Sequence, residues 1–249
     1  MIVLKHIHKN YNKGKPSQVP ALQDLSLTLA DGEFVVLVGP NGSGKTSLLN
    51  IIAGSEYPSE GEICFDEKNV TKIPEYRRSR WIARVFQNPL SGTAPDLSIL
   101  DNFRLAALRT GRKKLTIGID EAFKKKVRDS ISRLGMGLEN KIEQPMGSLS
   151  GGQRQALTLL MSVMDETKIL LLDEPTAALD PRSARLILET ADQLIHELKL
   201  TTVLITHNLK EALLYGTRLI QLGEGRIVRD LDGRAKEDLS LNNIFDWFN

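Results

Sequence analysis

The sequence predicts an α/β fold built on a mostly parallel sheet. Short apolar segments typical of strands alternate with longer segments of helical spacing, which is the pattern of a parallel sheet covered by helices. The 249 residues are 41% hydrophobic and 26% charged, an ordinary globular composition that excludes a disulfide-stapled miniprotein. This length allows one large domain or two lobes.

Charge and cysteine content narrow the class of protein further. The formal net charge is +2, so no global field gathers nucleic acid. The single cysteine, Cys64, cannot pair within the chain, and Lys5 and His6 interrupt any signal-peptide core. Apolar runs such as Phe34–Val38 are far shorter than the roughly 20 residues of a membrane-spanning helix. We therefore expect a protein of the reducing cytoplasm that does not cross a membrane.

The first elements are predicted strands. Residues 2–8 begin the series, and residues 25–29 alternate strictly between apolar and polar, which indicates a half-buried strand. A loop rich in Lys, Gly, Pro and Ser separates them at residues 13–20. Residues 34–38 are apolar at every position, which favours a central strand covered on both faces.

The later elements alternate helices with strands. Apolar residues recur at helical spacing over residues 97–164, which predicts a helical lobe. Strand patterns return at residues 169–172 and 203–206, and a helix is predicted at Pro181–Leu198, with Pro181 in its first turn.

A glycine-rich sequence follows the central strand and precedes a helical pattern at residues 47–53. This order of strand, loop and helix is what a phosphate-binding loop requires. Glycines let backbone N–H groups converge on phosphate oxygens, Lys45 reaches the β and γ phosphates, and the Thr46 hydroxyl ligates Mg²⁺. A glycine-rich turn with a surface lysine is the structural alternative. The candidate nucleotide-binding residues are Gly39, Pro40, Asn41, Gly42, Ser43, Gly44, Lys45, Thr46 and Ser47.

Two adjacent acids follow the apolar strand at residues 169–172. Open α/β sheets bind ligands at the carboxyl ends of their strands, where Asp173 and Glu174 are expected. Asp173 would hold the magnesium shell, and Glu174 would polarise the attacking water. The alternative is a pair of turn carboxylates before Pro175.

A second glycine-containing helix start occurs later in the chain. Ser150, Gly151, Gly152 and Gln153 precede a helical pattern at residues 154–164, so they offer a hydroxyl and a helix N-terminus to an anion. By itself this element is equally an N-cap serine with flexible glycines.

These three motifs, GPNGSGKT, ILLLDEP and LSGGQ, resemble those of the ATP-binding cassette family of transport ATPases. The resemblance extends from residue 2 to about residue 228, and LSGGQ is its specific part. It implies a P-loop NTPase fold with a mostly parallel core, an antiparallel β portion and an inserted helical subdomain. The implied nucleotide-binding core comprises residues 1–88 and 166–249, and the helical subdomain comprises residues 89–165.

The resemblance also implies roles for single residues. Tyr11 matches the aromatic that stacks on adenine, although a packed strand tyrosine is the alternative. Gln87 matches the glutamine that touches magnesium and the attacking water, and His207 matches the histidine that contacts the γ-phosphate. Asp180 matches a loop residue that communicates across a dimer and equally suits a helix N-cap. Catalysis is thereby assigned to Glu174, His207, Gln87 and Lys45, magnesium binding to Thr46, Gln87 and Asp173, and further ATP contacts to Tyr11, Ser150, Gly151, Gly152, Gln153 and Asp180.

The partners are likewise implied by the resemblance. ATP and Mg²⁺ are expected between two cassettes packed head to tail, in a homodimer or in a heterodimer with a second cassette. Membrane-spanning permease subunits would dock near residues 88–101, and an extracytoplasmic solute-binding protein is expected in the same system. The chain would then be peripheral on the inner face of the cell membrane, in a bacterial importer of a small polar solute such as an amino acid, near the branched-chain amino-acid branch. No nucleic acid is expected as a partner.

Two alternatives remain at this point. One is a cassette ATPase acting on nucleic acid or ribosomes, although the chain has neither tandem cassettes nor a long coiled-coil insertion. The other is a nucleotide sensor that does not hydrolyse, against which Glu174 and His207 both argue.

Two further segments lie outside the motifs. Residues 101–133 hold ten Lys or Arg against four Asp or Glu, which indicates a solvated basic face or proximity to anionic lipid. An apolar set near the C-terminus is predicted to pack on its own lobe. That set is Leu239, Leu241, Ile244, Phe245, Trp247 and Phe248.

Overall fold

A computed structural model describes residues 1–109 and 118–247 of the chain. Its strands form two sheets. The strands are β1 (Ile2–Tyr11), β2 (Val19–Leu29), β3 (Phe34–Val38), β4 (Glu60–Phe65), β5 (Lys68–Asn69), β6 (Ile82–Val85), β7 (Ile169–Asp173), β8 (Thr201–Ile205), β9 (Arg218–Gly223) and β10 (Arg226–Leu231). The helices are α1 (Lys45–Ala53), α2 (Glu75–Arg78), α3 (Ile99–Ala107), α4 (Glu121–Ser132), α5 (Gly151–Ser162), α6 (Pro181–Leu198), α7 (Leu209–Leu214), α8 (Gly233–Glu237) and α9 (Leu241–Phe245).

The central sheet has the strand order β10-β9-β3-β8-β7-β6. Its strands pair in parallel except for β10, which is antiparallel at one edge. Strand β3 lies between β9 and β8 and is buried at every position, because its residues alternate between two hydrophobic cores. Val36 packs in one core and Val35 in the other. The α/β fold with a mostly parallel sheet is confirmed.

A second, antiparallel sheet has the order β2-β1-β4-β5. Its apolar side chains, such as Leu4 and Leu27, share a core with Leu48 and Ile52 of helix α1. Helix α1 therefore lies between the two sheets, and this packing fixes the direction in which its N-terminus points. The antiparallel β portion is confirmed.

Helices α3, α4 and α5 lie between β6 and β7 in the chain, as the helical spacing predicted. Phe103, Val127 and Leu157 represent these helices in a core that also contains Leu170 and Leu172 of the central sheet. The division of the chain at residues 89 and 165 stays a prediction. Part of the basic segment, residues 110–117, lies outside the described residues.

Helix α6 spans the predicted Pro181–Leu198, because both of its ends are defined locally. Asp180 is the N-cap and accepts hydrogen bonds from the backbone N–H groups of Arg182 and Ser183 at 3.1 and 3.0 Å. Pro181 then occupies the first helical position.

The C-terminal apolar residues pack largely as predicted. Ile244 is buried in the core, and Leu239 and Trp247 pack against it, whereas Phe245 is exposed. Phe248 lies outside the described residues. Within residues 1–109 and 118–247, every helix is too short or too polar to traverse a bilayer.

Candidate functional site

The carboxyl edge of the central sheet brings the predicted site residues together. Strand β3 runs into the glycine loop, β7 ends at Asp173, and β8 is followed by His207. Strand β6 ends two residues before Gln87. Because these strands are parallel neighbours, their following residues meet at one edge.

The glycine loop at residues 39–44 has a backbone that requires glycine at two positions. Gly39 has φ 154° and Gly44 has φ 100°. A Cβ at Gly39 would lie 2.3 Å from the carbonyl oxygen of Leu222, and a Cβ at Gly44 would lie 2.4 Å from that of Ala21. Gly44 is also the N-cap of α1 and offers no side-chain acceptor to the first N–H groups of the helix. Those N–H groups therefore suit an anion.

Lys45 and Ser43 direct polar groups into this loop. The Lys45 Nζ donates to the carbonyl oxygens of Gly39 and Pro40 at 2.8 and 3.0 Å, and the residue is 5% exposed. Burial lowers the pKa of the Lys45 amine, while the carboxylates of Glu174 and Asp173 act in the opposite direction. The Ser43 Oγ is buried and has no hydrogen-bond partner among the described residues. Such an orphaned hydroxyl fits a phosphate oxygen in the loop.

The residues around Asp173 fit a magnesium ion by donor chemistry. Thr46 is exposed at the start of α1, and Asp173 is 7% exposed at the end of β7. Hydroxyl and carboxylate oxygens are the ligands that Mg²⁺ prefers, together with substrate phosphates. No group of three or more His, Cys, Asp or Glu residues in the described part of the chain could hold a metal by itself.

Glu174 is held by two side chains from neighbouring strand ends. The His207 Nε2 lies 2.7 Å from the Glu174 Oε1, and the Gln87 Nε2 donates to the Glu174 Oε2 at 3.3 Å. The Glu174 side chain is 15% exposed, and its backbone has φ 48° in the left-handed region. The arrangement presents an oriented carboxylate that can accept a proton from water.

Tyr11 makes polar contacts beyond the predicted stacking. Its hydroxyl donates to the Glu56 Oε2 at 2.7 Å and lies 3.0 Å from the Ser47 Oγ. Burial, reinforced by Glu56, raises the pKa of the Tyr11 phenol. The Lys9 Nζ lies 5.0 Å from the centroid of the ring. Stacking on adenine stays a prediction.

The second helix start, at Ser150, is closed by its own side chains. The Ser150 Oγ accepts from the Gln153 N–H at 3.3 Å, and the Gln153 Oε1 accepts from the Ser150 N–H at 3.1 Å. Ser150 and Gly151 are exposed, whereas Gly152 is buried so close to Ser183 that a Cβ would lie 2.5 Å from its Oγ. Within the described residues, no hydrogen bond or ion pair joins residues 150–153 to the loop at residues 39–47.

Two polar residues of the site, the part-buried Arg84 and the buried Gln155, were missed from the sequence. The Arg84 Nη2 donates to the Asp173 Oδ2 at 2.6 Å. The Gln155 Nε2 donates to the carbonyl oxygens of Phe86 at 2.8 Å and Pro175 at 3.1 Å, which ties α5 to the segments before Gln87 and after Glu174. The signal for Arg84 is a charge within an otherwise apolar strand. Gln155 gives no such signal, because its partners are backbone carbonyls.

Comparisons with known proteins identify a family and similar chains. The family model described as "ABC transporter" matches residues 22–177. The tyrosine transport ATP-binding protein of Clostridioides difficile (strain R20291) is 38% identical over 253 residues, covering 100% of this chain and 98% of that protein. The spermidine/putrescine import ATP-binding protein PotA of Spiroplasma citri is 36% identical over 227 residues, covering 91% of this chain and 60% of that protein.

Similar solved structures are also described as ATP-binding cassettes. A dimeric ATP-binding cassette in a post-hydrolysis state, bound to ADP and Pi, superposes with a TM-score of 0.81 and 30% identity. The alignment covers 94% of this chain and 99% of that cassette.

Proposed function

The chain belongs to the ABC transporter family and is an ATPase, and from this premise we propose that it powers the uptake of a small polar solute such as an amino acid. The observation that carries the catalytic part is the Glu174 carboxylate, held between His207 and Gln87 at the sheet edge that also carries the phosphate loop. A protein that only sensed nucleotide would not need an oriented proton acceptor beside the phosphate loop.

We expect hydrolysis to use these side chains in place. With ATP bound, the Lys45 ammonium exchanges its carbonyl partners for phosphate oxygens, and the N–H groups of the loop and of α1 hold the phosphates. Glu174 orients a water whose oxygen attacks the γ-phosphorus, and the carboxylate accepts the proton as the bond to the leaving oxygen of ADP breaks. Magnesium, held by Thr46, Asp173 and the Gln87 side chain, would supply neutralisation of phosphate charge. His207 would keep Glu174 in position and contact the γ-phosphate.

The two helix starts of one chain support the proposal of a dimer. Ser150 and Gly151 are exposed and make no polar contact with the phosphate loop of their own chain among the described residues. We propose that they close over the loop of a second cassette, so that ATP lies between the two chains. The similar cassette bound to ADP and Pi is described as dimeric, which supports this arrangement.

The import role is supported by the names of similar proteins. The relative from Clostridioides difficile is described as a tyrosine transport protein and is matched over nearly its whole length. The polyamine relatives are import proteins, of which the chain spans about 60%. We propose membrane-spanning permease subunits as partners, an extracytoplasmic solute-binding protein in the same system, and a position on the inner face of the cell membrane. No observation favours nucleic acid as a partner.

The docking surface is proposed at residues 88–101. Leu90 and Leu97 are 53% and 40% exposed there. Ser98 is less suitable for labelling because it caps α3 by accepting from the Asp101 N–H at 3.0 Å.

Reconstitution in lipid vesicles tests the function directly. The chain is combined with candidate permease and solute-binding proteins from the same genome, and ATP hydrolysis is measured with tyrosine, spermidine or sulfate. We expect stimulation by one amino acid and none in the matched Glu174→Gln complex. A Leu90→Cys variant should crosslink to the membrane subunit, whereas Leu198→Cys, exposed on α6, should not. Absence of any solute-stimulated hydrolysis would contradict the import role.

A further inference from the structure

Strand β6 carries a charged side chain of low exposure, Arg84, that the proposed mechanism does not use. Arg84 pairs in register with Leu171 of β7, and its guanidinium reaches the carboxylate of Asp173 at 2.6 Å. Both side chains are only 10% exposed. Among the described residues, Arg84 is the hydrogen-bond partner of that carboxylate. The negative charge of Asp173, the acid assigned to magnesium, is therefore already paired with a positive charge of the same chain.

Further hydrogen bonds connect the Arg84 guanidinium to a network of polar side chains beside α1. The Arg84 Nη1 donates to the Asn50 Oδ1 at 2.7 Å, and the Asn50 Nδ2 donates to the Glu56 Oε1 at 2.8 Å. Glu56 in turn accepts from the Tyr11 hydroxyl at 2.7 Å. The network thus extends from the metal end of the candidate site to its adenine end.

The contacts of Arg84 differ from those of a purely structural arginine. Arg78, which is fully buried, donates to five backbone carbonyls and bonds with each of its three guanidinium nitrogens. The Arg84 Nε is buried and has no partner among the described residues. The Arg109 Nε is likewise buried without a partner in the described part of the chain, so this feature alone does not distinguish Arg84. What distinguishes Arg84 from Arg78 is its ion pair with the Asp173 carboxylate, made while its guanidinium lies 4.8 Å from the centroid of the Phe86 ring.

We propose that Arg84 is a positioning residue that acts as an internal counter-ion for Asp173, so that Mg²⁺ binds there only together with nucleotide. A buried carboxylate without a counter-ion is strongly disfavoured, and Arg84 removes that cost when no metal is bound. The same positive charge opposes a divalent cation at the carboxylate, and phosphate charge overcomes this opposition. The inference rests on the proposed function, because that function assigns Asp173 to magnesium.

The test compares magnesium dependence in variants that remove or keep the charge. Binding of a fluorescent ATP analogue is measured at increasing Mg²⁺ concentration and again in EDTA. For Arg84→Met we expect the half-saturating Mg²⁺ concentration to fall by about fivefold or more. Arg84→Lys keeps the charge and should stay close to the unsubstituted protein. Affinity in EDTA is measured for every variant as its own reference, because removal of the Arg84 charge also acts through space on the nucleotide phosphates. The expected difference between variants is in the magnesium dependence relative to that reference.

Arg109→Met is the matched control, because it removes another part-buried arginine that contacts Ser162 and Thr167 on the helical lobe. It should leave the magnesium dependence unchanged. Thermal unfolding in EDTA gives a second readout: Arg84→Met should unfold at lower temperature and regain more stability than the unsubstituted protein when Mg²⁺ and ADP are added together.

An unchanged or increased half-saturating Mg²⁺ concentration in Arg84→Met would overturn the proposal. If that variant does not fold, Arg84→Gln carries the same expectation, because it is neutral and can still donate to Asp173. An unsubstituted protein that binds the analogue without any magnesium dependence would instead overturn the magnesium role in the proposed function.

Discussion

Helix α1 begins directly after Gly44 and helix α5 begins at Gly151, yet the two N-termini differ in which backbone N–H groups they leave without an acceptor. The N-cap of α1 is Gly44, which has no side chain, so the first N–H groups of the helix have no side-chain acceptor. The N-cap of α5 is Ser150, whose hydroxyl and backbone are both bonded to Gln153. A Cβ at Gly44 would lie 2.4 Å from a backbone oxygen, whereas one at Gly151 would meet its nearest neighbour, Leu179, at 3.6 Å.

The difference indicates which of the two helix N-termini can bind a ligand in a site formed by its own chain. Helix α1 has a tightly enclosed start whose donors are free for phosphate. Helix α5 has a satisfied, exposed start that is stable alone and can be presented to another molecule. The proposed half-sites therefore differ in kind: one is a binding loop and the other is a contact surface.

The C-terminal ends of the two helices show the same contrast. Arg78 donates to the carbonyl oxygens of Ile51 and Ile52 in the last turn of α1 and is fully buried. Arg109 donates to one carbonyl of α5, that of Ser162, at 3.1 Å. Helix α1 is thus held firmly at the end away from the candidate nucleotide site.

The largest expected effect is on catalysis, and it separates binding at α1 from hydrolysis. Glu174→Gln removes the proton acceptor and leaves the loop intact, so ATP turnover should fall by about 10²- to 10⁴-fold while affinity is retained. The variant should elute as a dimer only with ATP in size-exclusion chromatography. An unchanged turnover rate would contradict the role of Glu174.

The next largest effect is expected on the free energy of unfolding, through the C-terminal end of α1 that Arg78 holds. Arg78→Met leaves buried carbonyls unpaired and should lower the free energy of unfolding by about 3 kcal/mol or more. Arg109→Met removes two hydrogen bonds in place of five and should cost less, about 1 to 2 kcal/mol. Urea unfolding of both variants measures the difference, and equal costs would remove the contrast between the helix ends.

A smaller effect is expected on nucleotide affinity in the isolated chain. Lys45→Ala removes a charge-assisted phosphate contact worth about 1.5 to 3 kcal/mol, so ATP should bind about 10- to 100-fold more weakly. Titration calorimetry under conditions where the chain is monomeric measures this. Lys125→Ala, at an exposed position on α4, is the control and should bind normally. Undiminished affinity in Lys45→Ala would contradict the phosphate-loop assignment.

The smallest effect on the monomer is expected at the start of α5. Ser150→Ala removes the N-cap acceptor and should lower the free energy of unfolding by about 1 kcal/mol. Its ATP affinity as a monomer should be unchanged, because Ser150 does not contact its own phosphate loop. Introduced into Glu174→Gln, it should weaken the ATP-dependent dimer. A dimer of full strength would contradict the proposed contact between chains.

The sequence was most informative where local signals define an element. Strand β3 was predicted at Phe34–Val38 from its unbroken apolar run, and α6 from Asp180 and Pro181. The glycine loop was predicted because its chemistry is contained in consecutive residues. The contact of Arg84 with Asp173 could not be predicted, since it depends on which strands become neighbours. The same holds for Gln155, whose partners come from two separate loops.

The backbone at Glu174 has a consequence for how this protein would respond to selection for heat resistance alone. A side chain at φ 48° costs about 1 to 2 kcal/mol, and glycine would relieve that cost. Both Glu174→Gly and Glu174→Ala lose the contacts with His207 and Gln87 and should be inactive, but the glycine variant should unfold at a higher temperature because it also loses the backbone cost. Among inactive variants at this position, a screen for thermostability alone would therefore favour glycine. The residue most needed for turnover is thus kept against the conformational preference of its own backbone.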